Sequence, residues 1–176
     1  MANTTPTTNS LENYFLPFTA NKDFKKEPRL LDRGEGVYYW NHKGDQVIDA
    51  SSGLFCVPLG HGRKEIAEAV HQQLLKLDYS PSFQVSHLPA FSLAEKVAKL
   101  LPGDLNNVFF TICGSTAIDS AIKIIQAYQH AIGQSQRVRF VSRERAYHGV
   151  NIGGTSLSGM IKTVSYTHLR AHETPL

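Results

Sequence analysis

Apolar positions recur along this chain at two different spacings, and the changes of spacing mark out its elements. From Arg63 to Leu77, Ile66, Ala67, Val70, Leu74 and Leu77 fall on one side, with Lys64, Glu65, Glu68 and Gln72 on the other. That spacing predicts an amphipathic helix. A second helix is predicted over Phe91 to Leu101, terminated by Pro102-Gly103. The short apolar run Val108-Phe109-Phe110-Thr111 predicts a buried strand, which leads through Ile112-Cys113-Gly114-Ser115-Thr116 into a third helical pattern. Ala117, Ile118, Ala121, Ile122, Ile125 and Tyr128 form its apolar face, and Gly133 supplies a left-handed C-terminal cap. A further strand is predicted at Val138-Arg139-Phe140-Val141. Strand, helix and strand in that order predict a βαβ unit whose two strands run parallel through a right-handed crossover.

N-terminal to these elements the pattern shortens. Gly36-Val37-Tyr38-Tyr39-Trp40 and Gln46-Val47-Ile48-Asp49-Ala50 flank a glycine-ended turn, a hairpin signal with Trp40 read as core. Ser51 to Arg63 is dense in Gly and Ser and is read as loop. Ser80-Pro81-Ser82-Phe83-Gln84 is read as an extended loop, because a residue before proline is pushed out of the helical region. Leu11 to Phe18 clusters large apolar side chains beside Pro17 and reads as an N-terminal arm that packs on its own domain or on a second subunit. Residues 1–10, rich in Thr, Asn and Pro, read as a disordered tail.

Composition narrows the class without choosing within it. The 176 residues are 41% hydrophobic and 19% charged, enough to bury a core in one or two domains. The net charge of +3 is spread along the chain, so no nucleic-acid footprint emerges. No apolar run is long enough to span a bilayer, and the polar N-terminus lacks a signal-peptide core. A soluble, cytoplasmic protein is the expectation. Cys56 and Cys113 lack C-x-x-C spacing and sit in apolar stretches, which predicts buried, reduced thiols. His61 has no carboxylate or histidine partner at ligand spacing, so it reads as a packed side chain and no metal site is expected.

The chemistry concentrates where the first predicted strand enters its helix. The opening amides of a helix lack intrahelical partners and the helix dipole is positive there, so the turn suits an anion. Gly114 allows close approach and Ser115 and Thr116 add hydroxyls, which makes Gly114 and Ser115 candidates for a phosphate site. An ordinary capped helix, with Ser115 bonded to its own backbone, is the other reading. Neither G-x-G-x-x-G nor a following Gly-Lys-Ser/Thr is present, which excludes dinucleotide and Walker-type loops.

Two blocks at this place resemble the class III (omega) aminotransferases, pyridoxal-phosphate enzymes of fold type I. One is Phe109 to Lys123 around Ile112-Cys113-Gly114-Ser115-Thr116; the other is Phe140 to Gly149, ending Tyr147-His148-Gly149, followed by Gly153-Gly154 and Leu157-Ser158-Gly159-Met160. The resemblance implies an α/β fold: a small-domain segment, then the first βαβ of the large domain's parallel sheet, incomplete in this chain. The implied organisation is arm and small-domain segment over 11–85 and the start of the cofactor-binding large domain over 86–163. Pyridoxal 5'-phosphate is the implied cofactor, its phosphate on Gly114 and Ser115 and its ring stacked by Tyr147. Amine and keto-acid substrates and a homodimer are likewise implied.

By the same resemblance, Phe18 matches an aromatic residue lining the active site. Phe55 stands where the family usually has Trp in Gly-Leu-Trp-Cys-Val, which implies a roomier pocket, and Phe83 matches an aromatic loop over the substrate, often presented to the partner subunit. The usual Asn-Ser-Gly-Ser-Glu reads Ile112-Cys113-Gly114-Ser115-Thr116, so the glutamate that organises the neighbouring loop is missing. No catalytic residue is assigned, because the family's Schiff-base lysine and its pyridinium-binding aspartate fall beyond Met160; Lys123 and Lys162 match neither position. The resemblance fades at Lys162-Thr163, and residues 164–176 read as a non-native tail resembling a translated sequencing adapter. His168 and His172 lack a third ligand for a metal. The implied activity is amino-group transfer between an amine or ω-amino acid and a keto acid such as pyruvate, with this length of chain inactive by itself. A non-enzymatic α/β module binding some other anion is the alternative.

Overall fold

The computed structural model describes residues 11–159; the segments read as tails, 1–10 and 164–176, lie outside them, as do Met160 and Lys162. The chain divides into two compact units, with the boundary between Ser86 and His87.

The first unit holds helix α1 (Asn21–Lys26), strands β1 (Leu31–Glu35), β2 (Tyr38–Asn41) and β3 (Gln46–Ile48), a four-residue turn of helix α2 (Ser52–Phe55) and helix α3 (Lys64–Lys76). The strands form an antiparallel sheet in the order β1-β2-β3. The predicted hairpin is the β2–β3 pair, with Tyr38 opposite Ile48, Tyr39 opposite Val47 and Trp40 opposite Gln46. Its turn is organised by Asn41, whose Oδ1 accepts from the amides of Lys43 and Asp45, each at 2.9 Å. β1 was not legible, since Leu-Asp-Arg-Gly-Glu shows no alternation; pairing with β2 imposes it, and the Arg33 guanidinium lies 3.6 Å over the Trp40 ring.

The arm is tied to α1 by two side chains, Asn21 and Lys25, the latter donating from Nζ to the Glu12 carbonyl at 2.7 Å. Asn21 accepts from the Leu16 amide and donates to the Leu16 carbonyl, both at 2.8 Å. α3 lies within a residue of its predicted span, because the signal behind it is local and periodic.

The second unit holds α4 (Leu88–Ala98), α5 (Gly114–Ala131) and α6 (Ile152–Leu157). α4 starts three residues earlier than predicted, since Pro89 is tolerated in the first turn, where its missing N–H has no intrahelical partner to lose. α5 follows its predicted course, and Gly133 takes the left-handed conformation at φ 75° beyond its end. α6, with two adjacent glycines, was not anticipated. The two predicted strands flanking α5 are a correction: neither 108–111 nor 138–141 carries strand structure. A strand exists only through bonds to a neighbour, and neither segment has a ladder partner among the described residues. No helix among the described residues is long and apolar enough to cross a membrane.

Candidate functional site

The α5 N-terminus is built to leave its amides open. Cys113 is fully extended (φ −163°, ψ 167°) and the chain turns helical at Gly114. Ala117 is the first to bond back along the helix, to the Cys113 carbonyl at 3.0 Å, so the amides before it have no intrahelical carbonyl to reach. Cys113 makes no side-chain cap. A Cβ added to Gly114 would meet nothing within 4 Å, and its φ is not in the left-handed region. The glycine is therefore not demanded by backbone strain; what it leaves is open space beside the amides.

Ser115 does not cap its own helix. Its Oγ accepts from the Val150 amide at 3.0 Å, a contact across 35 residues. That approach depends on Gly149, at φ 108°, where a Cβ would sit 2.6 Å from Ser115 Oγ and 2.7 Å from Ser115 Cα. One turn along α5, Asp119 Oδ1 accepts from the Gly154 amide at 3.2 Å. Ser158, almost fully buried, accepts from the His148 amide at 2.9 Å and donates to the Gly154 carbonyl at 2.8 Å. The segment from Tyr147 to Ser158 is thereby folded onto the first turns of α5, with Tyr147 exposed two residues before Gly149. Asp119, three residues beyond Thr116, is the carboxylate that ties the first turn of α6 to α5.

The electrostatics agree with the geometry. Cys113 Sγ lies 3.3 Å from the Thr116 hydroxyl. That hydroxyl first, then the Thr116 amide, hold the Cys113 thiol below its ordinary pKa; burial opposes them, and the Ser115 amide and hydroxyl add to the lowering. A helix N-terminus that stabilises a thiolate will stabilise another anion. Both Cys56 and Cys113 are free and exposed, a correction to their expected burial: one follows the α2 turn, the other stands at the mouth of α5.

Gly114, Ser115 and Tyr147 are thus brought into one neighbourhood by the Ser115–Val150 bond. Phe18, Phe55 and Phe83 belong to the first unit; they are 91%, 85% and 87% exposed, and no ring pairing joins them. His61 is packed as expected, against Tyr39, and it also has a carboxylate partner the sequence spacing did not reveal: its Nε2 lies 2.7 Å from Asp49 Oδ2. Twelve positions separate the two, so helical or strand spacing could not reveal the pair. No cluster of three potential metal ligands occurs among the described residues.

The family model described as aminotransferase class-III matches residues 19–172. The chain is 50% identical over 151 residues to a beta-alanine–pyruvate aminotransferase of Pseudomonas aeruginosa, covering 86% of this chain and 34% of that protein. It is 48% identical over 150 residues to an omega-amino acid–pyruvate aminotransferase of Pseudomonas putida, covering 85% and 33%. Among solved structures, the omega transaminase of Pseudomonas jessenii in complex with PMP superposes with a TM-score of 0.85 at 30% identity, over 96% of this chain and 36% of that one. The chain spans about a third of the length of the relatives it matches.

Proposed function

The chain belongs to the class-III aminotransferases, and from that premise we propose that it supplies the phosphate cradle of a pyridoxal-phosphate-dependent amino-group transfer between an amine or ω-amino acid and a keto acid such as pyruvate. The observation that carries this reading is the α5 N-terminus: amides without intrahelical carbonyl partners, clear space at Gly114, and a Ser115 hydroxyl held at the first turn by the Val150 amide. This donor set suits a phosphate group, through helix amides for the charge and a hydroxyl for direction. Tyr147, on the segment anchored to Ser115, is the residue proposed to stack on the ring.

Pyridoxal phosphate, when bound, supplies the electron sink for the bond broken at the amine-bearing carbon. The residues of this chain bind and orient. Gly114 and Ser115 hold the phosphate, Asp119 fixes the start of α6 through Gly154, and Phe18, Phe55 and Phe83 are proposed to shape the substrate pocket. Proton transfer is assigned to a lysine in the two-thirds of the family's length that this chain does not cover. A homodimer acting in the cytoplasm is part of the same proposal.

In the full-length enzyme Ser115→Ala removes a hydrogen bond to a charged group, a loss of about 1.5 to 3 kcal/mol. That corresponds to a cofactor Kd roughly ten- to hundredfold weaker. Equal dissociation constants for wild type and variant would remove Ser115 from the site. In a parallel assay of alanine formation from an amine and pyruvate, residues 1–176 alone are expected to give no turnover above free pyridoxal phosphate. Turnover above that level would place the reacting lysine within this chain.

A further inference from the structure

The turn that carries Phe55 has an unusual backbone. Ser52, Gly53, Leu54 and Phe55 all have positive φ, at 52°, 58°, 58° and 69°. L-residues visit this region singly, so a run of four is held only where the surroundings impose it. The turn is closed by its own backbone, through the Phe55 amide to the Ser51 carbonyl and the Cys56 amide to the Ser52 carbonyl, both at 2.9 Å, and Asp49 anchors its start. Its Oδ1 accepts from the Ser51 amide at 3.1 Å and the Ser51 hydroxyl at 3.2 Å, while Oδ2 accepts from the Gly53 amide and faces His61 Nε2, both at 2.7 Å. The Asp49 side chain is 4% exposed and that of His61 13%.

His61 is in turn fixed to the sheet. Its amide donates to the Gly36 carbonyl at 2.8 Å and its carbonyl accepts from the Gly36 amide at 3.0 Å. Its ring lies 4.2 Å from that of Tyr39, on the central strand, and fills the space left by Gly34, where a Cβ would come within 3.0 Å of the imidazole. A continuous path therefore runs from β2 through His61 to Asp49, and from Asp49 to the amides of the turn. At the end of that path Leu54 and Phe55 face outward.

We propose that Asp49 and His61 form a positioning pair that sets the amine specificity of the enzyme by fixing the left-handed turn that presents Phe55. The proposal rests on the reading of Phe55 as a pocket residue in an aminotransferase. Neither Asp49 nor His61 touches substrate; they act through the Ser51 and Gly53 backbone. The pair is the means by which a rigid sheet dictates the angle of one exposed aromatic ring.

The test uses the full-length enzyme and the kcat/KM ratio for a small against a bulky amine. His61→Ala removes one of the two partners of Asp49 Oδ2, leaving the Gly53 amide as the other, and is expected to shift the ratio toward the bulky amine by about threefold or more, with cofactor Kd unchanged. It should also speed alkylation of Cys56, which directly follows the turn. His61→Gln places an amide donor near the Nε2 position and is expected to restore both readouts, whereas His61→Asn, whose donor sits at the Nδ1 position, is not. The comparison of Gln with Asn decides the matter should the alanine variant fail to fold. Wild-type ratios and Cys56 rates in His61→Ala, or equal behaviour of the Gln and Asn variants, would overturn the proposal. Phe55→Trp separates the two layers. If it shifts the ratio while the His61 variants do not, positioning fails and the pocket reading stands; if it shifts nothing, the pocket reading itself fails and the proposal with it.

Discussion

At the scale of single residues, Gly149 and Asp119 determine how the Tyr147–Ser158 segment meets α5, and neither role could be read from residue type. Gly149 belongs to the Tyr-His-Gly block, but its reason is the close approach of Ser115 in a backbone region that disfavours L-residues. Gly149→Ala combines that conformational strain with a collision, and should cost about 1 to 3 kcal/mol of stability. A lowered denaturation midpoint with weaker cofactor retention is the expected result, measured on the full-length enzyme. An unchanged midpoint would mean that the segment does not pack on Ser115. The Thr116 departure is equally instructive. Thr116 offers no carboxylate, and the one that reaches the Tyr147–Ser158 segment is Asp119, one turn further along the helix, through the Gly154 amide at the start of α6.

At the scale of elements, legibility followed the range of the interactions. α3 and α5 were readable because their periodicity is contained within each helix, and the β2–β3 hairpin because its turn chemistry is local. β1 and the α2 turn were not, because each depends on residues elsewhere in the sequence: β2 for the first, Asp49 and His61 for the second. Segments 108–111 and 138–141 read as strands from composition, yet composition cannot supply the neighbour that a ladder needs.

The α2 turn carries its own pH prediction. Burial would raise the Asp49 pKa, but the bonds from His61, the Ser51 and Gly53 amides and the Ser51 hydroxyl outweigh it and hold the carboxyl below its ordinary value of 3.8. With the folded value below the unfolded one, its stabilisation is fully present above pH 3.8 and is lost as pH falls through the lower folded value. The Gly53 amide resonance should accordingly remain shifted until the pH drops below 3.8. Titration of that resonance at or above 3.8 would show that Asp49 does not hold the turn.

At the scale of the whole molecule, the described residues leave much apolar surface open. Ile66, Val70 and Leu74 on the amphipathic face of α3 are exposed, as is Val141, and no large side chain among the described residues is fully buried. A chain that spans about a third of its relatives' length offers a simple proposal for what covers such faces, namely the remainder of the enzyme. The central claim, that the α5 N-terminus holds the cofactor phosphate, can be read from a reporter already in place. Cys113 sits at that terminus with its thiol held below the ordinary value of 9.0 by Thr116 and Ser115. A phosphate placed on the same amides brings a like charge beside the thiolate and raises its pKa. The measurement is the pH dependence of Cys113 alkylation in the full-length enzyme, followed by mass spectrometry of its peptide, with and without saturating pyridoxal phosphate. The midpoint should lie below 9.0 in the free enzyme and move upward with cofactor bound; an unmoved midpoint in enzyme whose absorbance shows the cofactor in place would contradict a phosphate site at Gly114 and Ser115.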